Sequence, residues 1–339
     1  MKFICSNDSK TSLINYFNKF LIGMSIGLCF VNVSADTYPS KPIKVVIPFP
    51  PGNASDVTAR ALGDLLSKRI GQSVIIDNKP GAAGAIGTDF VIKSQPDGYT
   101  LLITSLSPIV ILPHINKNLH FDPLKDLLPV AKIGSTSMIM VASNNFPANN
   151  LQELMSYAKN NPNKLNYASL GAGTLSMLTM EVFKKSTGLN IQHIPYKGSS
   201  QAMTDLIGGN VNLMIDGMTS SYSQVKAGKL KALSIFSSTR SEIAPEIPTL
   251  KESGNPSLAD VRVDGWSGLF APVGTSISVI NFINQEINKI IVDPEFKKRA
   301  FSQNLEVYAP SSPDQFSTFI KADSDLWLSV IKPLNIVEN

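Results

Sequence analysis

From Asp36 onward, short β-branched runs alternate with longer segments of helical spacing, and this constrains the fold more than any other feature. Ile43 to Ile47 reads as a strand. Val57, Ala61, Leu62, Leu65, Leu66 and Ile70 then recur at three- and four-residue steps, and Gly71 ends that helix. Val74 to Asp77 is a second strand, Gly81 to Gly87 a turn, Ala85 to Lys93 a helix and Tyr99 to Thr104 a third strand. A second set begins near Pro147. It has a helix marked by Leu151, Leu154, Met155 and Ala158, a strand at Leu165 to Ser169, and a helix from Thr174 to Thr187 closed by Gly188. A strand at Ile191 to Tyr196, a helix at Ser200 to Ile207 and a strand at Val211 to Ile215 follow. This order argues for an α/β fold with parallel sheets built from right-handed crossovers.

Val130 to Ala142 and Leu230 to Ser237 are extended segments long enough to join two lobes, and the tail, with a strand at Trp266 to Ala271 and helices from Ser276 and Pro313, returns to the first. The expected division is residues 36–137 with 238–339 as one lobe and 138–237 as the other. Both lobes contain an uncharged strand-to-helix turn, Pro50-Pro51-Gly52-Asn53-Ala54-Ser55-Asp56 and Ser169-Leu170-Gly171-Ala172-Gly173-Thr174. The first N–H groups of a helix lack intrahelical partners and carry partial positive charge, so such turns hold an anion without lysine or arginine. Ser55 or Asp56, and Thr174, are the expected caps. Either turn alone reads better as a capped turn with no ligand. Two of them facing one cleft make a small carboxylate the economical occupant.

Other chemistries find little support. His114, His120 and His193 form no metal-binding pair at helical spacing, and the chain has no G-x-S-x-G elbow and no phosphate loop. Gly81 to Gly87 is spaced G-x-x-G-x-x-G, which fits a close-packed turn better than a dinucleotide fingerprint. No cofactor is expected. A hydrolase using Ser55 or Ser169 with a distant histidine is the rival from another class. Asp216 follows a strand and either receives a ligand amine or caps the next helix; Tyr196-Lys197-Gly198 either lines the cleft or is an ordinary turn.

Residues 1–35 differ from the rest. Lys2, Lys10 and Lys19 precede an apolar run from Phe20 to Val33, and Val33-Ser34-Ala35 suits cleavage after Ala35. That run is shorter than the ~20 residues that span a bilayer. Cys5 and Cys29, the two cysteines, lie in this leader; Leu28 makes Cys29 a poor lipidation site. Losing Lys2, Lys10, Lys19 and Asp8 moves the formal charge from +4 to +2 (27 basic against 25 acidic), too mild a balance to argue for nucleic acid.

The mature chain resembles the Bug receptors, the periplasmic solute-binding proteins of tripartite tricarboxylate transporters. The resemblance rests on Tyr38-Pro39-Ser40-Lys41-Pro42-Ile43, Pro48-Phe49-Pro50-Pro51-Gly52 with Asp56 and Ala59-Arg60, Asn78-Lys79-Pro80-Gly81-Ala82, and Pro96-Asp97-Gly98-Tyr99-Thr100-Leu101-Leu102. Pro195-Tyr196-Lys197-Gly198, Asp216, Ala227-Gly228-Lys229-Leu230, Pro248-Thr249 and Gly268-Leu269-Phe270-Ala271-Pro272 continue it in order. It implies a two-lobed periplasmic binding protein fold (type II) that closes over a small organic acid, is not an enzyme, and docks on large and small membrane permease subunits. A monomer is expected; a receptor of the same fold feeding a signalling system is the alternative. Carried over by position, the ligand residues are Phe49, Asn53, Ala54, Ser55 and Asp56 in the first loop, Ser169, Gly171, Gly173 and Thr174 in the second, with Tyr196 and Asp216. The family usually has glycine where this chain has Asn53, and histidine where it has Met177. Asparagine tolerates positive φ, so the turn can survive. Met177 favours a smaller or more apolar acid if it faces the ligand.

Overall fold

The computed structural model describes residues 38–334, apart from 238, 260 and 262. The leader, with both cysteines and the cleavage position, lies outside the described residues. None of the helices within them is long and apolar enough to cross a membrane. From Pro39 on, the chain groups as one compact unit.

The strands are β1 (Ile43–Ile47), β2 (Val74–Asn78), β3 (Thr100–Ser105), β4 (Leu127–Ser143), β5 (Asn166–Ser169), β6 (Gln192–Pro195), β7 (Leu213–Gly217), β8 (Leu230–Ile235), β9 (Asp264–Pro272) and β10 (Glu306–Val307). Helices of eight residues or more are α1 (Ala54–Ile70), α2 (Ala85–Ile92), α3 (Leu151–Asn160), α4 (Leu175–Thr187), α5 (Ser199–Ile207), α6 (Met218–Lys226), α7 (Ile277–Ile291), α8 (Pro294–Ser302) and α9 (Pro313–Ile331). The strands join in the order β2-β1-β3-β9-β4-β7-β5-β6, with β8 and β10 also on β4.

Parallel pairing, the expectation from alternation, holds at the two flanks, where β1 pairs β2 and β3, and β5 pairs β6 and β7. The middle is antiparallel: β9 runs against β3 and β4, and β4 against β7 and β8. Each flanking pair has a helix of eight or more residues between its strands, as a parallel crossover needs.

The long β4 organises the molecule. Its first part pairs β9 as far as Ser137↔Asp264, and from Met138↔Gly217 onward it pairs β7. Both faces of its second part are covered: Met138, Met140 and Ala142 join the larger apolar core, Ile139 and Val141 a smaller one shared with Met203, Leu206 and Met218. That explains the unbroken apolar run in the sequence, since a strand buried on both faces loses its alternation. Between Ser137 and Met138 the strand changes partner, and ligands of open α/β sheets settle at such switch points.

Candidate functional site

A cavity of about 60 Å³ lies over that switch. Its floor comes from paired strands: Ser105 faces Ser267, Thr136 faces Gly265 and Met138 faces Gly217. Phe49, Asn53, Ala54, Ser55 and Thr58 enter from the β1–α1 turn, Leu170, Thr174, Leu175 and Ser176 from the β5–α4 turn, and Asp216 from the end of β7. Of the eleven ligand residues expected from sequence, Phe49, Asn53, Ala54, Ser55, Thr174 and Asp216 are thus brought together.

The caps differ in part from expectation. Asn53, not Ser55 or Asp56, caps α1, accepting from the Ser55 N–H at 2.9 Å. Its φ is −69°, so it needs no tolerance of the left-handed region; Gly52, at +83°, makes the bend. Thr174 caps α4 as expected, and its hydroxyl donates to the Gly171 carbonyl at 2.7 Å. The first N–H of α4, on Leu175, donates to Ser107 Oγ at 3.0 Å. Freed from capping, Ser55 keeps a hydroxyl that is buried, lines the cavity and has no hydrogen-bond partner among the described residues. A buried polar atom without a partner costs about 1–3 kcal/mol, so this one is placed for something else.

The remaining five residues lie outside the cavity lining. Asp56 is buried and fully engaged, accepting from the Gly52 N–H at 2.9 Å, from Asn78 at 2.9 Å and from Arg60 Nη2 and Nε at 2.9 and 3.0 Å. Asn78 also donates to the Phe49 carbonyl at 3.0 Å, so the cluster braces the whole turn. Burial alone would raise the Asp56 pKa; the donors from Arg60, Gly52 and Asn78 outweigh it and hold the carboxyl below its ordinary value. A carboxylate with a depressed folded pKa stabilises the protein above its unfolded pKa of about 3.9 and loses that contribution as pH falls through the folded value. Asp56→Asn is therefore expected to melt below wild type at neutral pH, with the gap closing as pH drops below about 4. A gap constant across pH 7 to 3 would contradict the anchoring role.

Ser169 is wholly buried; its Oγ lies 2.6 Å from His193 Nε2 and accepts from the Gly171 N–H at 3.1 Å. This is the serine–histidine contact that a hydrolase would need, yet it faces inward and away from the cavity. Tyr167 stacks on His193 at 4.9 Å, and burial lowers the histidine pKa, so the pair sets the shape of the second turn. Gly171 and Gly173, at φ +119° and +78°, let that turn close. Tyr196 donates through its hydroxyl to Asp205 at 2.6 Å. Met177, where the family usually has histidine, packs in the apolar core.

Asp216 lines the cavity with both oxygens occupied. Ser199, Ser220 (2.7 Å) and Ser221 (3.3 Å) donate to Oδ2, and the Gly217 N–H donates to Oδ1 at 2.8 Å. Burial pushes its carboxyl pKa up against these four donors. The two turns touch beside it. Pro50 packs on Gly198, and Ser200 Oγ lies 3.5 Å from the Pro51 carbonyl. Gly81 to Gly87 is a close-packed turn beneath: a Cβ on Gly87 would meet Pro48 Cα and the Lys79 carbonyl at 2.8 Å.

Sequence reasoning missed Ser105, Ser107, Thr136, Trp266 and Ser267. The available signal was position, since Ser105 ends a strand and Ser107 follows it closely, where open α/β sheets place their ligands.

A family model described as "Tripartite tricarboxylate transporter family receptor" matches residues 58–336. The chain is 36% identical over 301 residues to "Protein BugT" of Bordetella pertussis, covering 88% of this chain and 91% of that one. The solved "Structure of periplasmic binding protein BugD" superposes with a TM-score of 0.84 at 32% identity, over 89% of this chain and all of that one (100%). "R. palustris Rpa4515 with adipate" superposes with a TM-score of 0.85 at 28% identity, over 88% and 99%. With this match along the chain and across the fold, the protein belongs to the tripartite tricarboxylate transporter receptors of the Bug type, a family of periplasmic solute-binding proteins.

Proposed function

We propose that this receptor captures a small organic carboxylate between the β1–α1 and β5–α4 turns and delivers it to a permease of large and small membrane subunits. It performs no chemical step, acting as a monomer in the periplasm after removal of a leader ending near Ala35. The lobes are residues 36–137 with 238–339, and 138–237; they close on the acid because the ligand makes better contacts with the closed form and raises its population. The ligand residues are those brought to the cavity, with Asp56, Ser169, Gly171, Gly173 and Tyr196 shaping the turns around them.

One observation carries the reading: the buried, unpartnered Ser55 hydroxyl stands in the first turn of α1 and faces the cavity that the start of α4 also reaches. Two helix starts and a free donor meeting in one cavity suit an anion. A hydrogen bond to a charged group contributes about 1.5–3 kcal/mol, so Ser55→Ala is expected to weaken carboxylate binding roughly ten- to hundredfold. The same change leaves the unliganded protein at least as stable, because it removes an unsatisfied polar atom. Calorimetric titration of both forms with a panel of aliphatic and aromatic acids checks this; equal affinities would take Ser55 out of the site.

A further inference from the structure

We propose that the cavity accepts one carboxylate on an apolar body and discriminates against acids that carry a second; this rests on the carboxylate reading above. The argument is a charge balance around the cavity. Among the described residues no lysine, arginine or histidine lines it. Asp56 is neutralised by Arg60, which contacts it at 2.9 Å. Asp216 is matched by two helix starts, α5 through Ser199 and α6 through Gly217, Ser220 and Ser221. Each helix N-terminus carries about half an elementary charge, so this pair offsets about one anion. The starts of α1 and α4 remain, again worth about one positive charge together; the one carboxylate in their first turns, Asp56 on α1, is the one already paired with Arg60. One ligand carboxylate completes the balance.

A second carboxylate meets no cation and would rest on neutral donors alone, the Asn53 amide and the Ser105 and Thr136 hydroxyls. The hydroxyls of Thr58, Thr174 and Ser176 commit their protons to the carbonyls of Ala54, Gly171 and Ile215. The unpartnered Ser55 hydroxyl sits at the α1 start, and Ser107 Oγ accepts from the Leu175 N–H at the α4 start. Much of the remaining wall is Phe49, Met138, Leu170, Leu175, Trp266 and Leu305, together with Asp216, whose oxygens are already occupied. An ionised group pressed on that surface is desolvated without compensation, and Asp216 repels it.

The test is titration calorimetry on the full receptor at neutral pH with hexanoate, monomethyl adipate and adipate, which share a chain and differ in charge. Hexanoate and monomethyl adipate are expected to bind within a few-fold of each other and at least about tenfold more tightly than adipate. Adipate binding as well as or better than hexanoate overturns the inference while leaving the receptor reading intact. If none of these acids binds, and a panel of aromatic monocarboxylates also fails, the receptor reading falls and this inference falls with it.

Discussion

Replacing Gly198 by alanine is expected to weaken ligand binding by roughly ten- to hundredfold while leaving the melting temperature of the unliganded protein nearly unchanged. The added Cβ would lie 2.6 Å from Pro50 Cγ and 3.0 Å from Cδ. A proline ring cannot swing aside as a long side chain can, so the first turn must retreat from α5. The backbone at Gly198 sits at φ 167°, extended geometry that any residue adopts, so the substitution introduces no local strain. Overpacking of this kind costs about 1–3 kcal/mol. Here the cost falls on the form in which Pro50 meets Gly198, and an open form escapes it. Affinity therefore drops with fold stability spared, and ligand-saturated protein should show a larger radius of gyration in X-ray scattering than wild type. Wild-type affinity with wild-type compaction would show that contact between the turns plays no part in holding ligand.

The contact behind that prediction was not visible in the sequence, although both of its partners were. Pro50 and Gly198 are 148 positions apart, and each reads as an ordinary turn residue. Local signals were more informative: α1 with its Gly71 terminator and α4 with Thr174 and Gly188 follow from 3.6-residue spacing and caps. The existence of two helix-start turns was legible for the same reason. Competition within the first turn was less so, because Asn53, Ser55 and Asp56 are all good caps, and what decided among them is remote. Asn78, 22 residues on, and Arg60 draw Asp56 inward, which leaves Asn53 to cap and Ser55 free. The sheet centre was hidden for a related reason. Alternation records that a helix separates two strands, but it is silent on the direction of a strand such as β9 that returns through turns, and the cavity floor depends on that return.

Asp216→Ala is expected to lower stability by about 3 kcal/mol, because it leaves three serine hydroxyls and the Gly217 N–H without their acceptor inside the protein. In a chain of this size that is a fall of about 5 °C in melting temperature. Removing a buried carboxylate also relieves the desolvation that raises its pKa, so the loss is smaller than four hydrogen bonds taken singly would suggest. Asp216→Asn should fall between. Its amide oxygen accepts from Gly217 and one hydroxyl, and Ser220 can turn to the Gly217 carbonyl 3.2 Å away. Sequence reasoning left two roles open for this residue, an acceptor for a ligand amine or a cap for the following helix, and the pair of variants separates them. An amine acceptor would lose affinity for amino acids in both variants with little change in unliganded melting temperature. A carboxylate that binds β7 to the starts of α5 and α6 would show the graded loss of stability in the absence of any ligand. With all four donors in place from within the protein, the second outcome is the one the geometry supports, and an unaltered melting temperature in Asp216→Ala would refute it.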